Sequence, residues 1–306
     1  MVRESVPGRS THTANVPPPA ERTGVVAHRG ASGEYPELTL VAYEQAIAQG
    51  AEGLEIDIRL TADEVAVCLH DPLTDRTGDR STWVHRSTVD ELSTIDFGSW
   101  HPLHRKREPV MPLRQFLVLA EAHPGLKLFI ETKHPVPSGG QIEQALASEL
   151  RYFGLDRPGS LEESRAIMMS FSVRAARRFR TLVPDVPVVQ LREPKNVMKS
   201  WSAENIGAHI MGPSISSLRA RPWLVDYWRS RGMDTYVWTV DDPADMQLCR
   251  DLGVQWIGTN YPSRGLQVLD GPSRARAGGA GGGGAGVCGG RAGGRAGAAM
   301  RSKPQV

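Results

Sequence analysis

The sequence predicts an α/β chain folded as a (β/α)8 TIM barrel, with a small insertion between the second and third barrel strands. Three observations carry that prediction. Short apolar runs alternate with stretches of helical periodicity, the pattern of parallel strands covered on both faces by crossover helices. The first run is followed by His28-Arg29-Gly30 and not by a G-x-G-x-x-G turn, which argues against a doubly wound dinucleotide-binding sheet. Ionisable residues then recur at the carboxyl ends of the runs, the end on which barrels build their sites.

Strand character falls at 24–27, 53–58, 65–69, 127–131, 166–170, 187–191, 209–212, 235–240 and 256–259. Helical periodicity falls at 39–49, 113–122, 141–152, 173–182, 219–231 and 243–252. The runs at 53–58 and 65–69 are too close for a crossover helix, so the second is expected as a hairpin strand and the other eight as the barrel. Residues 71–112 show little periodicity and are rich in Thr, Asp, His and Arg. A stretch of that length reads as the functional insertion.

The ends differ in composition from the middle. Residues 1–22 are rich in Pro, Ser and Thr, with Pro17-Pro18-Pro19, and are expected to be a disordered leader. Residues 271–306 interleave Gly, Ala and Arg with almost nothing that can be buried, and are expected to be a disordered tail. The tail carries six basic groups and no acid, and the leader has one basic group in excess. The net charge of +2 therefore leaves the foldable segment 23–270 at −5. An acidic core domain, and a tail without aromatic residues to stack on bases, speak against nucleic acid as a partner.

Cys68, Cys249 and Cys288 form no CxxC pair, which suggests neither a disulfide framework nor a zinc site. No apolar stretch near the start has the character of a signal sequence, and no window is long enough to span a bilayer. The expectation is a cytoplasmic protein without stable membrane insertion.

The informative polar residues are those inside or at the end of apolar strands. Glu55 and Asp57 stand two apart in Leu54-Glu55-Ile56-Asp57-Ile58, so both face the barrel interior while their apolar neighbours face the helices. His28-Arg29 ends the first run, His70-Asp71 the third, and Glu131 and Lys133 follow Leu128-Phe129-Ile130. Three converging carboxylates call for a cation between them. Oxygen-only ligands favour a hard divalent ion, Mg2+ or Ca2+. Two histidines without nearby cysteine suit acid/base work, and Arg29 and Lys133 suit phosphate oxygens. Trp238, ending a strand, either lines the substrate pocket or fills the core. His85, His101, His104 and His123, with the basic run Arg105-Lys106-Arg107, are expected on the surface.

Taken in order, His28-Arg29-Gly30, Pro36-Glu37-Leu38-Thr39, Glu55-Ile56-Asp57, Thr61-Ala62-Asp63, His70-Asp71, Glu131-Thr132-Lys133, Val237-Trp238-Thr239-Val240 and Gly258-Thr259-Asn260-Tyr261-Pro262 resemble the glycerophosphodiester phosphodiesterase family. The resemblance spans roughly residues 24–268. It implies hydrolysis of small glycerophosphodiesters to glycerol 3-phosphate and an alcohol. It further implies metal ligation by Glu55, Asp57 and Glu131, acid and base roles for His28 and His70, and phosphate binding by Arg29 and Lys133. The attacking group is a neighbouring glycerol hydroxyl or water.

Three departures stand out: Leu38 where the family has Asn, Glu64 where it has Gly, and Asp241 where Asn is common. Leu38 is expected to weaken polar support beside the metal, and Glu64 to alter its turn. Two alternatives remain open, a phospholipase D-like lipid phosphodiesterase and a non-catalytic phosphodiester-binding barrel.

Overall fold

A computed structural model describes residues 20, 22–196 and 207–271. Apart from Ala20, Arg22 and Gly271, the leader and tail lie outside the described residues. Eight parallel strands close a barrel: β1 (Gly24–His28), β2 (Gly53–Leu60), β4 (Lys127–Thr132), β5 (Ala166–Ser170), β6 (Val188–Arg192), β7 (Ile210–Pro213), β8 (Asp234–Val237) and β9 (Trp256–Thr259). β1 pairs with both β9 and β2, which leaves no open edge. The ninth strand, β3 (Ala66–Cys68), runs antiparallel on β2, as the short 61–65 connection requires.

The covering helices are α1 (Leu40–Ala48), α2 (Val89–Ser93), α3 (Leu113–Glu121), α4 (Gln141–Tyr152), α5 (Val173–Leu182), α6 (Ile215–Ala220), α7 (Leu224–Arg229), α8 (Pro243–Asp251) and α9 (Pro262–Leu269). The single helix expected over 219–231 is two. Pro222 disfavours a helical residue before it, and Arg221 accordingly turns to φ −146°, ψ 68°. The expected strand over 235–240 stops at Val237. α9 carries a start signal that the periodicity did not supply, a proline at its first turn.

Side-chain alternation divides the core in two. On β2, Leu54, Ile56 and Ile58 point outward and share a cluster with Tyr43, Phe116 and Leu146. Val26, Phe129, Ile167, Val189, Ile210 and Tyr236 form a separate cluster inside the barrel, with the Phe129 and Tyr236 rings stacked at 5.1 Å. This plug fills the interior below the strand ends. It leaves the carboxyl-terminal mouth to residues one strand period further on.

The 71–112 insertion has a core of its own, in which Val84, Leu92, Ile95, Phe97 and Val110 pack against Val67 and Leu69. A capping box starts α2: the Thr88 hydroxyl accepts from the Glu91 amide at 3.2 Å, and the Glu91 carboxylate from the Thr88 amide at 2.8 Å. His101, expected at the surface, is buried here, edge-on to Trp100 at 5.4 Å. His104 pairs with Glu108 at 2.8 Å, whereas Arg105, Lys106 and Arg107 are exposed. The 61–64 turn keeps its left-handed residue without glycine. Glu64 sits at φ 62°, and the Thr61 hydroxyl accepts from the Val65 amide at 2.9 Å. Among the described residues no helix is long and apolar enough to cross a membrane.

Candidate active site

Strand register assembles the site. β1 pairs with β2 so that His28 lies beside Glu55, and β2 pairs with β4 so that Asp57 lies beside Glu131. All four share the inward face, and three adjacent strands therefore deliver three carboxylates and an imidazole to one point. Glu55, Asp57 and Glu131 are buried, with one oxygen of each within 4.8 Å of the others. His70 arrives from the end of β3, and Arg29 and Lys133 from the turns after β1 and β4. A cavity of about 250 Å3 is lined by His28, Arg29, Glu55, His70, Glu131 and Lys133, with Trp238 on the far wall. Asp57 lies beneath it, so all eight residues singled out in the sequence come together.

The first loop is shaped by backbone demands. Arg29 and Leu38 both take φ 60°, and the Leu38 amide donates to the Arg29 carbonyl at 3.1 Å. Gly30, at φ 82°, leaves no room for a side chain, since a Cβ would lie 2.7 Å from Ala42. The Arg29 amide donates to Glu55 Oε2 at 2.9 Å, orienting that carboxylate. Leu38 does not stand beside the ligands as expected. It is buried in the outer apolar cluster, and its backbone rather than its side chain supports the loop.

Electrostatically the site is short of positive charge. Arg29 Nε lies 3.0 Å from Asp57 Oδ2, while Lys133 Nζ lies 3.2 Å from Asp57 Oδ1 and 2.9 Å from Glu131 Oε1. Two cations thus face three carboxylates. Burial, then Asp57 and Glu131, push Glu55 well above the usual carboxylate range. Burial brings Glu131 up to about 7 despite Lys133. Burial would raise Asp57 too, but Lys133 and Arg29 outweigh it and hold that carboxylate low. Asp57 Oδ2 accepts no hydrogen bond. A buried, oxygen-only cluster in which burial and mutual repulsion raise two of three carboxylates fits a hard divalent cation.

Both histidines are anchored from behind. Asp241 accepts from the Asn260 amide nitrogen at 2.8 Å and from its side-chain Nδ2 at 2.7 Å, which turns Asn260 Oδ1 toward His28 Nδ1 at 2.8 Å. His28 therefore donates through Nδ1 and keeps a lone pair on Nε2, which lies 4.0 Å from Glu55 Oε2. Burial, reinforced by Arg29, lowers His28 to about 4. His70 Nδ1 donates to Asp71 at 2.8 Å, and Arg76 ties Asp71 to Glu37, which also pairs with Arg29 at 3.0 Å. Asn260, Asp71, Glu37 and Arg76 were not read as site residues. Asn260, Asp71 and Glu37 do lie inside the motifs quoted above: Asn260 directly after β9, Asp71 shortly after β3, and Glu37 in the loop that leads into α1. Arg76 lies in the aperiodic insertion, where no pattern marks it.

A closed parallel barrel gathering carboxylates, imidazoles and cations at its mouth has the framework of a barrel hydrolase acting on phosphate esters. Comparison with known proteins makes this specific. Residues 28–264 match the model of the glycerophosphoryl diester phosphodiesterase family. A Mycobacterium tuberculosis chain described as a probable glycerophosphodiester phosphodiesterase 1 is 40% identical over 246 residues, covering 78% of this chain and 90% of its own length. A Bacillus subtilis glycerophosphodiester phosphodiesterase is 32% identical, covering 79% and 85%. The barrel is similar to that of an Oleispira antarctica phosphodiesterase crystallised with sn-glycerol 3-phosphate, with a TM-score of 0.74 at 22% identity over 82% of this chain and 98% of that one. The chain belongs to the glycerophosphoryl diester phosphodiesterase family.

Proposed function

We propose that this protein hydrolyses glycerophosphodiesters to glycerol 3-phosphate and an alcohol, using His28 and His70 as the acid/base pair. The observation that carries the reading is the convergence of two imidazoles, two cations and three carboxylates on one cavity at the barrel mouth of a member of this family. Glu55, Asp57 and Glu131 would hold one divalent cation, Mg2+ or Ca2+, whose charge would offset the burial and repulsion that raise Glu55 and Glu131. Bound there, the ion would polarise a phosphoryl oxygen.

The remaining work falls to the chain itself. Arg29 and Lys133 neutralise charge developing on the phosphoryl oxygens. One imidazole accepts the proton of the attacking hydroxyl through Nε2, and the other protonates the departing alcohol. Asn260 and Asp71, holding each Nδ1, keep both Nε2 atoms available. Trp238 and Phe171, edge to face at 5.3 Å, give the carbon skeleton of the substrate a flat apolar wall. The cytoplasm is the compartment we infer, supported by two buried cysteines, Cys68 and Cys249, that remain unpaired.

The test is glycerophosphocholine hydrolysis with and without EDTA. Activity is expected to vanish in the chelator and to return with added Mg2+ or Ca2+. Full activity in EDTA, or in a His28→Ala protein, overturns the reading.

A further inference from the structure

Beside the reaction cavity lies a larger cleft of about 450 Å3 that the proposed chemistry does not use. Its floor is Arg59. Its walls are Pro72, Trp83 and His85 from the insertion, and Val136 and Pro137 from the loop after β4. Three chain segments join it to the site. Arg59 follows Asp57 by two residues on the same face of β2, Pro72 follows His70 by two, and Pro135 follows Lys133 by two. Arg59 Nε also donates to the His70 carbonyl at 2.8 Å. A substituent on a phosphate held between His70 and Lys133 would have this cleft next to it.

The cleft's own lining is one-sided in charge; Asp57, Asp71 and Glu131, the carboxylates that act on Arg59, do not line it. None of its lining residues is a carboxylate, and Arg59 is its fixed cation. Among the described residues Arg59 makes that single hydrogen bond and no ion pair, so the two terminal amino groups of its guanidinium have no protein partner. Neighbouring arginines behave otherwise. Arg76 is held by Asp71 and Glu37, and Arg29 by Glu37 and Asp57. A half-buried guanidinium with its fork open toward an acid-free cleft matches a planar or tetrahedral oxyanion. Trp83, 41% exposed and edge-on to His85 at 5.4 Å, offers a flat surface to the carbon chain that bears it.

We propose that this cleft is the subsite for the leaving alcohol, and that Arg59 selects alcohols carrying a second anionic group, a phosphate or a carboxylate. The inference rests on the phosphodiesterase reading of the neighbouring cavity. The reaction is unchanged: water adds to phosphorus, the bond to the alcohol oxygen breaks, and the alcohol leaves with a proton.

The test compares kcat/KM for four glycerophosphodiesters, whose alcohols are glycerol, glycerol 3-phosphate, glyceric acid and choline. The two anionic alcohols are expected to be favoured over glycerol by at least about tenfold, and choline disfavoured, as for one charge-assisted pair. The arm that responds more strongly distinguishes phosphate from carboxylate. In Arg59→Gln the preference is expected to collapse to near unity while the glycerol diester loses less than about threefold; Arg59→Lys should keep part of it. An equal loss on all four substrates would mean that Arg59 only orients His70, and overturns the proposal. Should Arg59→Gln fold poorly, Ser138→Glu puts a carboxylate at the rim of the same cleft, away from His70, and should lower the anionic-to-neutral ratio. An unchanged ratio overturns the proposal as well. Turnover of all four diesters without charge preference removes the subsite alone, whereas no turnover of any removes the underlying reaction.

Discussion

Charge and carbon divide the barrel mouth between them. On the β1–β2–β4 arc the strand ends carry His28, Glu55, Asp57, Glu131 and Lys133, with Lys133 paired to both Asp57 and Glu131. On β5, β6 and β8 the cavity is lined by Met169, Leu191 and Tyr236, the last also a member of the plug, with Phe171, Glu193 and Trp238 just beyond. The first arc is a network in which neighbours decide the charge of each member: burial raises all three carboxylates, and Lys133 and Arg29 outweigh it at Asp57 but not at Glu131. The second is mostly apolar and supplies shape; the charged residue it sets on the cavity is Glu193, paired with Lys195 at 2.8 Å. Reaction chemistry and substrate placement are thus built on different strands, and variants on the two arcs should fail in different ways.

The largest failure should come from the charged arc. His70→Ala is expected to lower kcat by about 10²–10⁴-fold, the usual range for losing a general acid or base, with little change in melting temperature. A loss confined to KM would place His70 among the binding residues and blur the division.

A second difference is readable in stability against pH. Burial and Arg29 keep His28 neutral down to about pH 4, whereas an unfolded chain takes up that proton near 6.5. Between those values the unfolded state binds more protons at this position, so acidification destabilises the fold by up to about 3 kcal/mol through this residue. His28→Gln removes that contribution. Relative to the unsubstituted protein, the variant should therefore gain stability steadily as pH falls from 7 to 4 in chelator-treated samples. Substitutions on the apolar arc, such as Met169→Leu, should show a difference that does not vary with pH. Calorimetric scans across that range check both, and a pH-independent His28→Gln difference would show that the imidazole is not held neutral.

The same division explains what could be read in advance. Glu55 and Asp57 were legible because a charge inside an apolar strand needs a reason, and the two-residue period gives its direction. Leu191 and Met169 carry no such mark, since an apolar residue looks alike whether it faces the plug, the helices or the cavity. Asn260 was quoted within a motif, yet its task depends on Asp241 fixing the amide from nineteen positions away, a contact that exists only once the barrel closes. Leu38 misled for a related reason: its substitution was visible, but not that the position answers to a left-handed backbone and the outer apolar cluster. The insertion hid its α2 helix because five residues are too few for periodicity, although its capping box was in plain sequence.

The smallest effect should come from Trp238, the one apolar-arc residue singled out from sequence, where lining the pocket and filling the core were equally open. It packs against the interior plug and lines the cavity as well: its ring meets Phe171, while Nε1 donates to the Gly212 carbonyl at 2.8 Å and fixes the plane. A wall that touches the substrate's carbon skeleton in ground and transition states alike contributes uniform binding. Trp238→Ala should then raise KM about tenfold, near 1.4 kcal/mol, and leave kcat within about threefold. Trp238→Phe, which keeps the apolar face but not the Nε1 bond, should recover most of that affinity. If kcat falls as far in Trp238→Ala as in His70→Ala, the wall is part of the reacting network. The separation of the two arcs is then a matter of side-chain type and not of task.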